Sequence, residues 1–153
     1  MTIVTTTRLM NRKIFLTKPG IYCEKMGLIR KNNMNRIELE KRLISFASAI
    51  ITLCKECRFD DYTFHLAKQI VRSASSAALN YGEAQSAESR ADFTHKLSLV
   101  LKELRETQVN ITIMSNSVIC NNPLRIVDLL KECQDLIAIF QKSINTLNNK
   151  NNR

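Results

Sequence analysis

Gln69-Ile-Val-Arg-Ser-Ala-Ser-Ser-Ala-Ala-Leu-Asn-Tyr-Gly-Glu-Ala-Gln-Ser-Ala-Glu-Ser-Arg-Ala-Asp-Phe93 joins two segments of helical periodicity, and its reading decides the fold. Upstream of the junction, residues 62–84 place Phe64, Ala67, Val71, Ala74, Ala78 and Tyr81 in alternating steps of three and four. From Ser73 to Ala78 that segment holds only Ser and Ala, so a neighbouring backbone can approach closely. Downstream, Phe93, Leu97, Val100, Leu104, Thr107, Ile111, Met114 and Val118 form a heptad seam broken only by Thr107. Ser86 and Ser89 are the cap candidates for this helix, with Asp92 three residues after Ser89.

Two further helices flank this pair. Asn35, with Glu38 three residues on, opens a seam of Leu39, Leu43, Phe46, Ile50, Leu53 and Cys57. Ile37, Ile44, Ala47 and Ile51 add a second apolar stripe, which predicts cover on two sides. Asp60 or Asp61 then caps the helix that follows the short connection. At the other end, Asn122 and Pro123 start a helix repeating Ile126, Leu130, Cys133, Ile137, Phe140, Ile144 and Leu147. No stretch alternates convincingly with period two. The expectation is an all-α, antiparallel up-down-up-down four-helix bundle over residues 35–147, with a frayed tail at 148–153. The multi-stripe helices and the Ser/Ala surface favour self-association.

Composition agrees with helices: 153 residues contain three Gly, two Pro and no Trp. The longest nearly apolar run, Leu43 to Leu53, is too short to span a bilayer. Arg8, Arg12 and Lys13 precede no long apolar core or small-residue cleavage site, so the chain reads as cytoplasmic, with no membrane partner. The net charge of +9 is uneven. Residues 1–36 carry eight basic residues against Glu24, whereas residues 37–153 carry 15 basic and 13 acidic. The arm at 1–34 therefore reads in two ways: a disordered extension that holds nucleic-acid phosphates, or upstream sequence from a misassigned start, since Met26 and Met34 are in frame.

Catalytic chemistry finds no foothold. His65 and His95 lie on different helices, solvent-facing, and no Ser, Cys or carboxylate is spaced to form a triad or metal set with them. Gly82 stands alone, so there is no phosphate loop. Five cysteines (23, 54, 57, 120, 133) predict reduced thiols, with Cys54-x-x-Cys57 as buried helix thiols. A zinc site joining Cys54, Cys57, Cys120 and Cys133 would require the helix ends to meet. No cofactor and no resident metal are expected. Glu83 reads as a structural charge that ties helices two and three near Arg90 or pairs with an Arg of another subunit.

Gln69-Ile70-Val71-Arg72-Ser73-Ala74, Ser76 and Asn80-Tyr81-Gly82-Glu83-Ala84 resemble the signature of the 23S rRNA intervening-sequence protein family of four-helix bundles. Ser86, Ser89-Arg90, Asp92-Phe93 and Leu101-Lys102-Glu103-Leu104-Arg105-Glu106-Thr107 are similar to that family's third helix. Where many members carry Asn-Ile-Ala-Glu-Gly, this chain has Asn80-Tyr-Gly-Glu-Ala, which moves the glycine. The resemblance implies a bacterial, non-enzymatic protein that forms a homopentameric ring. Some members are encoded within insertions in 23S rRNA genes. The fold it implies is similar to the accessory protein of diversity-generating retroelements, which binds a reverse transcriptase and nucleic acid through a basic surface. Their placement on helices two and three makes Lys68, Arg72, Arg90, Lys96, Lys102 and Arg105 the phosphate-contact candidates. Ser73, Ser76, Asn80, Gly82 and Glu83 are the assembly or structural positions. Structured RNA is the expected ligand, with DNA, a reverse transcriptase or another protein as further partners. The alternative is a protein scaffold that docks a helical partner on the Ser/Ala face.

Overall fold

The computed structural model describes residues 35–149. The basic arm, Cys23 and the end of the predicted tail lie outside the described residues. Four helices form, α1 at Arg36–Glu56, α2 at Phe64–Ala84, α3 at Arg90–Asn116 and α4 at Pro123–Asn149, and no strand occurs among the described residues. They pack as a four-helix bundle in which α2 and α3 meet most extensively and α1 and α4 least.

Local chemistry starts each helix. The Asn35 side chain accepts from the Glu38 amide at 2.9 Å, and the Glu38 carboxylate accepts from the Asn35 amide at 3.0 Å. This closed capping box supplies partners for donors that the first helical turn leaves unpaired. Before α2, the Asp60 carboxylate accepts from the amides of Tyr62 and Thr63 and from the Thr63 hydroxyl. These bonds hold its pKa below the ordinary carboxylate range, the Thr63 hydroxyl first. Ser89 accepts from the Asp92 amide at 3.1 Å, and Asn122 from the Arg125 amide at 3.2 Å. Three starts use the side chains expected from the sequence, whereas Asp60 closes the turn before α2 and the helix's own N-cap, Thr63, makes no side-chain cap bond.

The core follows the α3 seam. Leu97, Val100, Leu104, Thr107, Ile111 and Met114 are buried, Phe93 is half-buried, and Val118 has left the helix. Burial of each large aliphatic side chain contributes roughly 1.5–3 kcal/mol against the entropy of ordering it. On α4, Ile126, Leu129, Cys133, Leu136, Phe140 and Ile144 face inward, with Leu130, Ile137 and Leu147 at the margin. Tyr81 and Phe140 join α2 to α4 edge-to-face, ring centroids 5.5 Å apart.

Two expectations require correction. The inward face of α2 is Leu66, Ile70, Ser73, Ala74, Ala77, Tyr81 and Ala84, whereas Phe64 is exposed and Ala67, Val71 and Ala78 are half-buried. Phe64 sits in the first turn, where Lys68 lies over its ring with the ammonium 4.8 Å from the centroid. On α1, Ala47 is buried within the chain, but Ile37, Ile44 and Ile51 are exposed. The predicted second stripe is therefore uncovered in the single chain.

Candidate nucleic-acid interface

The six cationic positions expected to contact phosphate do not share one face. Lys68 and Arg72, four residues apart on α2, are both exposed. Lys102 is exposed on α3, and among the described residues neither Arg72 nor Lys102 has an ion pair or side-chain hydrogen bond. The other three are engaged. Lys96 pairs with Glu83 at 3.5 Å and with Asp92 at 3.9 Å. Arg90 donates to the Leu147 carbonyl at 2.6 Å, and Arg105 to the Gln141 side chain at 2.8 Å. Arg90 and Arg105 thus reach toward α4, whereas Lys96 reaches toward α2. A polyanion would find Lys68, Arg72 and Lys102 available, and would compete with existing bonds for the rest.

Lys41 and Lys55 also project from α1 as exposed cations, flanking the Ile37, Ile44 and Ile51 stripe. Sequence reasoning did not single them out. Their heptad-related positions beside that stripe carried the signal once its exposure was known.

The assembly positions have local duties. Ser73 is fully buried, and its hydroxyl lies 2.8 Å from that of Thr107 on α3 and 3.3 Å from the Ile70 carbonyl. The polar break in the α3 seam thereby meets the narrowest part of α2. Ser73, Ala74 and Ala77 are consumed inside the chain, leaving Ser75, Ser76 and Ala78 half-buried. Asn80 donates back to the Ser76 carbonyl at 2.8 Å. Gly82 does not turn the chain: α2 continues through it to Ala84, and a Cβ there would stand 3.7 Å from the Glu40 carboxylate, an ordinary contact. Glu83 does tie α2 to α3, but through Lys96 and not Arg90.

Three long-range ties escaped sequence reasoning, and all involve α1 or the residue that ends it. Arg42 grips Glu132 on α4 in a bidentate pair at 2.6 and 2.9 Å, with the carboxylate only 4% exposed. Hydrogen bonding to Glu132 raises the pKa of the Arg42 guanidinium, which is charged throughout the accessible range. Glu56 accepts from Arg125 at the start of α4, at 2.6 and 2.7 Å. Finally, Cys57 and Cys120 form a disulfide. Reduced thiols were expected throughout, so this is a correction. The end of α1 and the connection before α4 meet there, and the Arg58 amide donates to the Ile119 carbonyl at 3.0 Å alongside.

The remaining described cysteines stay thiols. Burial pushes Cys54 up to about 11, and burial with the Glu132 charge pushes Cys133 up to about 12. Cys133 donates to the Leu104 carbonyl. Among the described residues no three His, Cys, Asp or Glu side chains gather in a way that could hold a metal ion. His65 and His95 are exposed. No helix of the described residues is long and apolar enough to cross a membrane.

No curated protein matches the chain at a significant level. One solved structure it resembles is a protein with unknown function from the S23 ribosomal protein family of Bacteroides thetaiotaomicron. That match has a TM-score of 0.64 and 27% sequence identity, and covers 69% of this chain and 97% of that one. The family model described as 23S rRNA-intervening sequence protein matches residues 35–142, which is the bundle from the Asn35 cap to within two turns of the end of α4. The chain belongs to the 23S rRNA-intervening sequence protein family.

Proposed function

We propose that this protein is a non-enzymatic, oligomeric, antiparallel up-down-up-down bundle that binds structured RNA through cations on α2 and α3. The observation that carries the reading is the exposure of Lys68, Arg72 and Lys102 without acidic partners among the described residues. Cations that no carboxylate neutralises attract phosphate and release its counterions. Arg90, Lys96 and Arg105 join the contact once RNA displaces their present partners. Antiparallel order is supported by three end-to-end contacts: Tyr81 with Arg36, Arg90 with Leu147, and Glu56 with Arg125. Assembly of copies into a ring, five by family resemblance, is supported by Ile37, Ile44 and Ile51, whose seven-residue spacing leaves an uncovered apolar line on α1.

The test is filter or fluorescence binding of the full chain to a structured RNA, against Lys68→Glu, Arg72→Glu and Lys102→Glu combined. Binding is expected to weaken by about tenfold or more, and the slope of affinity against salt to become shallower. Binding by the triple variant equal to that of the parent protein would remove these residues from the interface. Ile44→Lys with Ile51→Lys tests the assembly independently: sedimentation should show a smaller particle whose helical content is unchanged.

A second reading has its own observation. The exposed α1 stripe also suits a helical protein partner, such as a reverse transcriptase or another protein, in place of a second copy. The Ser/Ala face fits such docking less well, because Ser73, Ala74 and Ala77 are already buried against the chain's own helices.

A further inference from the structure

Both long connections of one bundle end converge on a single covalent bond. Cys57 closes α1 and is half-buried, whereas Cys120 lies in the α3–α4 connection and is only 6% exposed. Around the bond, the Arg58 amide meets the Ile119 carbonyl and Glu56 meets Arg125.

Two residues before Cys120, Val118 has φ 51°, the lone positive φ among described non-glycine residues. It follows Ser117 at the end of α3, where the Ser117 amide bonds to Ile113 and the Ile119 amide to Met114. This is a helix termination that glycine usually occupies, since a β-branched side chain crowds its own backbone in the left-handed region. Val118 is 81% exposed, so its side chain gains little from packing. A strained residue persists only when its surroundings hold it. Here the surroundings are buried Ile119 and the bonded Cys120.

We propose that Cys57 and Cys120 form a redox-exchangeable clasp, opened by a low-molecular-weight thiol and closed by its disulfide, that holds the α3–α4 connection in this conformation. Opening proceeds in two exchanges. An external thiolate attacks the more accessible Cys57 sulfur, the Cys57–Cys120 bond breaks, and Cys120 leaves as a thiolate that takes a proton from water. A second external thiolate attacks the external sulfur of the resulting mixed disulfide, releasing Cys57 and a symmetric external disulfide. Two electrons thus pass from two external thiols to the protein pair, and closure is the same sequence reversed. The neighbouring thiols do not intercept it. Cys54 is held protonated by its buried setting, and Cys133 is engaged with Leu104 inside the core.

The experiment equilibrates the full chain in glutathione buffers of graded oxidised-to-reduced ratio, then alkylates, digests and maps the cross-linked peptides. Amide hydrogen exchange at Arg58 and Ile119 is followed in both states. The expected result is a Cys57–Cys120 peptide whose yield follows the buffer ratio reversibly. Exchange at Ile119 should be at least about tenfold slower in the oxidised form. Val118→Gly should narrow that difference by relieving the strain in the reduced form. Three outcomes overturn the proposal: a cross-link that excludes this pair, a yield that ignores the buffer, or equal exchange in the two states.

Discussion

The α2–α3 seam and the α1–α4 seam solve the same packing problem in opposite ways. Between α2 and α3 the contact is the most extensive in the bundle, the middle of α2 offers only small buried side chains, and the central polar contact is a pair of neutral hydroxyls, Ser73 with Thr107. Between α1 and α4 the contact is sparser, and long charged side chains span it, Arg42 to Glu132 and Glu56 to Arg125. A close seam depends on shape, where a single added methylene is felt. A wide seam depends on pairing, where loss of one partner strands the other.

That contrast can be broken from the charged side first. Arg42→Ala leaves a carboxylate that is 4% exposed without its counter-ion, and the expected cost is about 3–5 kcal/mol in urea unfolding. Replacing both partners, Arg42→Met with Glu132→Leu, should recover most of that loss. Equal destabilisation of the single and double variants would show that the pair contributes more than mutual neutralisation. On the close seam, Ser73→Leu forces a large side chain into a fully buried site facing Thr107. The expected cost is smaller, about 1–3 kcal/mol, read as a lower thermal midpoint. If it instead matched or exceeded the Arg42→Ala loss, the close seam would be the stiffer of the two.

The same contrast explains what the sequence disclosed. The α3 seam was legible because large aliphatic residues recur against a charged background, and six of its eight positions are buried. Three caps were legible because Asn35, Ser89 and Asn122 act within three residues of themselves. The α2 phase was misread for a physical reason. Ser and Ala carry too little contrast to mark an inward face, so the aromatic Phe64 drew the seam to the margin of the inward face, sharing only Ala74 and Tyr81 with it. Arg42–Glu132 and Cys57–Cys120 join residues 90 and 63 apart in sequence, and helical periodicity holds no information about distances between helices. The basic candidates were visible as charges. Which were already engaged by Glu83, Gln141 or Leu147 depended on those same interhelical distances.

Four amphipathic helices of similar length have competing arrangements, slipped by a turn or wound with the opposite hand, that bury comparable apolar area. The grip of Arg42 on Glu132 separates them. Sliding α4 along α1 by one turn in either direction would carry the Glu132 carboxylate roughly 5 Å away from its guanidinium while leaving it at the buried face of α4. The cost of a stranded buried charge then falls on the wrong topology and not on the right one. Arg42 and Glu132 therefore act as a lock and key for helix register, selecting one bundle among its near-equals.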